Sequence, residues 1–74
     1  MISFNDKLTV LKQLETDCYS LCLFLLEEEK AAILAAQHTL IDLFDDSIFW
    51  KNDDSGKQSL MVRRATYYCL EQAA

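Results

Sequence analysis

The stretch that decides the fold is Lys30 to Phe44, KAAILAAQHTLIDLF. At the helical period, Ala32, Ile33, Leu34, Ala36, Leu40, Ile41, Leu43 and Phe44 spread over an arc of roughly 200 degrees. A surface helix buries a narrower stripe, so this segment is expected to be the central helix of a small bundle with a neighbour on each flank. Gln37 falls inside the apolar arc rather than beside it. A core amide in that place would be hydrogen-bonded across a helix interface, costing stability while fixing register.

Upstream, Ser3 and Asp6 form an N-terminal capping arrangement, with Asn5 as a competing cap. Phe4, Leu8, Leu11, Leu14, Cys18, Leu21, Cys22 and Leu25 then recur at threes and fours, which predicts a first helix over 4–26. Lys7, Lys12, Glu15 and Asp17 take its solvated face. The run Glu27, Glu28, Glu29 reads as a hinge or first helical turn, where carboxylates suit the positive end of a helix dipole. An unbroken helix through this run would need a second chain to bury both of its faces, so a long-helix dimer is the alternative architecture.

The second helix is expected over 29–49, with His38, Asp42, Asp45 and Asp46 on its polar arc. His38 and Asp42, one turn apart, are placed to pair. Downstream, Trp50 to Lys57, WKNDDSGK, has loop composition, with Trp50 covering a core edge or standing out as a contact residue. A third helix is predicted over 58–72, burying Met61, Val62, Ala65, Tyr68 and Cys69. Its other side mixes Leu60, Arg63, Arg64, Tyr67 and Leu70, with Arg63 one turn from the Tyr67 ring. Such a surface suits a protein partner or a short single-stranded or phosphate contact. An Arg pair snorkelling over a small core accounts for it equally well.

The whole is one all-α domain of 74 residues, a compact three-helix bundle. A chain this short buries only about 60 to 65% of its unfolded surface, so its stability is marginal. Absence of Pro and a single glycine, Gly56, favour a few long helices over many short strands. Seven Lys and Arg against twelve Asp and Glu give a net charge of -5, which argues against a tight sequence-independent grip on nucleic acid. The imbalance lies upstream of residue 57, because Lys57, Arg63 and Arg64 face only Glu71 beyond it. Any anion contact would use the last helix. No basic region followed by an apolar run opens the chain, and Leu21 to Leu26, the longest unbroken apolar segment, is far short of a membrane span. Three cysteines in no disulfide-like framework fit a reducing cytoplasm.

Chemistry finds little to stand on. Cys18 and Cys22 share a helix face, but Cys-x-x-x-Cys is not a zinc-finger spacing and His38 points to the polar arc, so small hydrophobes in a core are the expectation and no metal or cofactor is assigned. Carboxylates come in solvated runs rather than as a buried pair, and there is no Gly-rich phosphate loop. No catalytic residues are assigned, and the protein is not expected to be an enzyme.

The segment AILAAQHTLIDLF, an acidic stretch, and SLMVRRATYYCLEQ together resemble the second conserved region of bacterial RNA polymerase sigma factors of the extracytoplasmic-function type. Ala32, Gln37, Thr39, Leu40, Leu43 and Phe44 match that family's first helix, and Met61, Arg63, Ala65, Leu70 and Glu71 its second. Ile33 and Leu34 stand where the family has acids, His38 replaces the acid after the glutamine, and Tyr67 replaces an asparagine. The resemblance implies polymerase docking through the helix holding Gln37, and a DNA side comprising Trp50, Arg63, Arg64 and Tyr67. A chain ending at Ala74 would lack the second DNA-binding domain, so a regulator or half of a split sigma factor is implied. The expected partner contacts are Gln37, His38, Ile41, Leu60, Arg63, Arg64 and Tyr67; nucleic acid, weakly held at most, would meet Trp50, Lys57, Arg63 and Arg64. The competing expectation is an acidic helical adaptor or homodimer unrelated to transcription.

Overall fold

The computed structural model describes residues 3–73, and all of its regular structure is helical: α1 (Phe4–Leu26), α2 (Glu29–Phe44), α3 (Ser47–Lys51) and α4 (Asp54–Ala73). Each long helix packs on the other two, and the one-turn α3 packs on α4. No described helix is long and apolar enough to cross a membrane.

Local chemistry sets the boundaries. Ser3 caps α1 by accepting the Asp6 N–H at 3.1 Å. At the other end Glu27 adopts a left-handed conformation, φ 55°, and its N–H closes on the Leu23 carbonyl at 2.8 Å. Glu28 then caps α2 by accepting the Ala31 N–H at 2.6 Å. The chain therefore breaks within the glutamate run, as expected, and the unbroken rod is ruled out.

Beyond Phe44 the expected boundaries fail. The second helix does not run to Phe49: it stops at Phe44, and Asp46 starts α3 by accepting the N–H groups of Ile48 (2.9 Å) and Phe49 (3.2 Å). Nor is 50–57 one loop. Only Asn52 and Asp53 separate α3 from α4, whose start at Asp54 is fixed by the Asp53 carboxylate accepting the Gly56 N–H at 2.7 Å. Asp46, expected on a helix's polar arc, and Asp53, expected in a loop, both accept from the first-turn amides of the helix that follows.

The core is built from Leu11, Cys18 and Cys22 of α1, Ala32, Ala35, Ala36, Thr39 and Leu43 of α2, Phe49 of α3, and Met61, Ala65 and Cys69 of α4. Thr39 is satisfied internally, its hydroxyl donating to the Ala35 carbonyl at 2.7 Å. The three thiols are buried and free, and burial raises the pKa of Cys18 and Cys22. Val62, expected in the buried stripe of the last helix, is exposed, and Tyr68 is only half-buried. Phe4, Leu8 and Leu25, placed on the first helix's apolar stripe, are exposed as well.

Candidate functional site

The central helix is turned differently from the sequence expectation. Ala32, Ala35, Ala36 and Thr39 face inward, whereas Ile33, Leu34 and Ile41 are 40%, 45% and 67% exposed. The wide arc is thus not sandwiched from both sides. Small residues line most of the buried side of α2, with Leu43 the one large side chain among them, and Ile33, Leu34 and Ile41 are left on the surface. Gln37 goes with them: it is exposed, so the core-amide reading fails.

This outward face continues onto α1. Leu40 lies between two hollows in the α1–α2 seam, one of about 300 Å³ also lined by Glu15, Tyr19, Ile33, Ala36 and Gln37. The other, of about 290 Å³, is lined by Leu8, Leu11, Leu40, Ile41, Phe44 and Asp45. Ile33, Leu34 and Ile41 thus adjoin the exposed Leu8 of α1 on one side of the bundle.

On the other flank of α2 an ion-pair network ties α2 and α3 to α4. Arg64 donates to Asp42 at 2.8 Å and to Asp46 at 2.7 Å, and the Tyr68 hydroxyl donates to Asp42 at 2.9 Å. The Arg64 hydrogen bond, helped by the α3 amides, holds the Asp46 carboxyl below the usual carboxylate range. The Asp42 hydrogen bond raises the Tyr68 pKa, and Glu71 does the same for Tyr67. The expected His38–Asp42 pair does not form among the described residues; Asp42 is taken by Arg64 and Tyr68, and the His38 ring stands edge-on to Tyr68 at 5.6 Å.

Of the expected contact residues, Gln37, His38 and Ile41 share the outward side of α2, and Arg63 and Tyr67 are exposed on α4. Leu60 does not stand outward; it is partly buried against the core, though it lines a hollow of about 550 Å³ with Asp42, Arg63, Arg64, Tyr67 and Tyr68. Arg63 is not the cation over a ring among the described residues: Lys7 is, at 5.0 Å from Phe44 and 5.4 Å from Trp50. Trp50 turns inward, its Nε1 donating to the Phe44 carbonyl at 3.0 Å, which Lys7 also reaches at 3.3 Å. Lys57 donates to the Asn52 carbonyl. Of the four residues expected to meet nucleic acid, three are thus engaged within the fold.

Reasoning from sequence missed Ile33 and Leu34 as surface residues and Asp46 as the cap that joins the network. The run Asp-Asp-Ser ahead of Ile-Phe-Trp carried that last signal.

No protein-family model matches the chain, and neither a curated protein nor a solved structure is found to be similar to it.

Proposed function

We propose that the chain is a non-catalytic protein-interaction module, a sigma-region-like regulator or half of a split sigma factor, that touches RNA polymerase through the outward face of α2. The carrying observation is that Gln37 sits in the open between Ile33 and Ile41, where the sigma resemblance requires a docking residue. Nucleic acid plays a minor part in this reading: the described cations of α4 leave only Arg63 outside the intramolecular network, and the chain is acidic. Ile33 and Leu34 favour a second reading, an acidic helical adaptor unconnected with transcription, because they put apolar groups on that face where the sigma pattern has acids.

Binding of the purified chain to purified polymerase core enzyme distinguishes them. A measurable complex, weakened about tenfold or more by Gln37→Ala or Ile41→Ala, supports the first reading. No complex, or one indifferent to both changes, overturns it.

A further inference from the structure

We propose that the outward face of α2 is also an interface between two copies of this chain, paired antiparallel about a twofold axis beside Gln37 and His38. Lys30, Leu34, Gln37 and Ile41 are all exposed, and their four-three-four spacing forms a heptad seam along one side of the helix. When Gln37 is set opposite His38 of the partner subunit, the same register sets Leu34 opposite the partner's Ile41 and Lys30 opposite the partner's Asp45. Apolar therefore meets apolar on either side of the axis, and opposite charges meet at both ends.

The charges choose the occupant and its direction. Lys30 lies in the first turn of α2 and Asp45 is its C-cap, each at the end where the helix dipole disfavours its charge. Neither belongs to an ion pair among the described residues, and the nearby Lys7 ammonium reaches the Phe44 carbonyl. An antiparallel copy sets a carboxylate against Lys30 and an ammonium against Asp45, adding to the Glu28 and Glu29 carboxylates and the Lys7 ammonium that each end of α2 already has. A parallel copy sets Lys30 on Lys30 and Asp45 on Asp45. Gln37 and His38, polar groups near the axis, would fix the register at some cost in affinity. Such an interface is self-complementary, as a twofold pair requires.

The inference goes beyond the polymerase reading and does not rest on it. It does make the two states exclusive, because a self-paired α2 covers Gln37 and Ile41.

Sedimentation of the full chain across a concentration series, in reducing buffer at low salt, tests it. A monomer–dimer equilibrium is expected, abolished by Ile41→Asp. Lys30→Glu and Asp45→Lys should each raise the dissociation constant about tenfold, and the double reversal should return it to within about threefold of the original. Circular dichroism of each variant checks that the exposed substitutions leave the helices intact. A chain monomeric up to millimolar concentration overturns the proposal. So does a dimer indifferent to the single reversals, one that the double reversal fails to restore, or one lost on Leu70→Asp but retained in Ile41→Asp. The polymerase experiment reads a different complex, so either inference can fail alone.

Discussion

Asp46 joins three elements with one side chain. Its Oδ1 caps α3 through the Ile48 and Phe49 amides while its Oδ2 accepts from Arg64 on α4. Because the folded pKa lies below the unfolded value, the stabilisation is fully present above about pH 4 and is lost as pH falls through the folded pKa. Asp46→Asn keeps a capping oxygen but loses the charge. It should lower stability at pH 7 by about 1 to 2 kcal/mol, and thermal melts should show the gap to wild type closing as pH falls from about 4 through the folded pKa. A gap of constant size at every pH would show that the charge contributes nothing. Gly56 makes a second residue-level case. A Cβ built there would lie 2.9 Å from both Cβ and Cγ of Asn52, whose amide donates to the Ile48 carbonyl. Gly56→Ala, normally favourable by about 1 kcal/mol inside a helix, is expected to destabilise the wild-type chain and to stabilise the Asn52→Gly variant. Chemical denaturation of the four proteins gives that sign reversal or refutes the contact.

At the scale of the element, α2 shows what hydrophobic periodicity tells and what it leaves out. The helix and its N-terminal boundary were readable, because apolar residues recur from Ala32 to Phe44 and glutamates precede them. Its rotation was not. The observed core direction, through Ala32, Ala35, Ala36, Thr39 and Leu43, differs by roughly 100 degrees, about one residue, from the centre of the apolar arc. Hydrophobicity ranks Ile and Leu above Ala and Thr for burial, whereas close approach of three backbones selects for small side chains. That choice depends on the neighbouring helices and is not written in α2 itself. The same cause hid the interaction face, since Gln37 looked internal only while Ile33 and Ile41 did. α3 was lost for another reason: a five-residue helix has no period to detect, only its cap. If small size is what holds α2 in place, Ala35→Leu should cost about 1 to 3 kcal/mol or more through overpacking. Leu34→Ser, on the open side, should stay within about 0.5 kcal/mol of wild type when both are compared as dilute monomers. Equal losses in urea titrations of the two variants would mean that α2 is turned otherwise in solution.

For the molecule as a whole, the buried residues come from all four helices, so a helix that leaves exposes part of the shared core. Phe49 is the largest fully buried side chain and is the one buried residue that α3 supplies. Phe49→Ala should remove about 3 to 5 kcal/mol, set against a total of roughly 4 to 11 kcal/mol for a chain of this length. The variant is expected to melt well below the wild-type temperature by circular dichroism, and a cooperative melt near that temperature would show that α3 is dispensable. The cysteines turn this cooperativity into an observable. Cys18 and Cys22 come from α1 and Cys69 from α4, each at most 3% exposed. Burial also raises the pKa of Cys18 and Cys22, which keeps them as unreactive thiols. A thiol reagent should therefore reach all three only through global opening. The three sites should label at one common slow rate that Phe49→Ala accelerates by the factor its stability loss dictates, about tenfold for every 1.4 kcal/mol. Labelling of Cys69 well ahead of Cys18 and Cys22, followed by mass spectrometry, would show instead that α4 detaches from an intact α1–α2 pair. The bundle would then be two cooperative units rather than one.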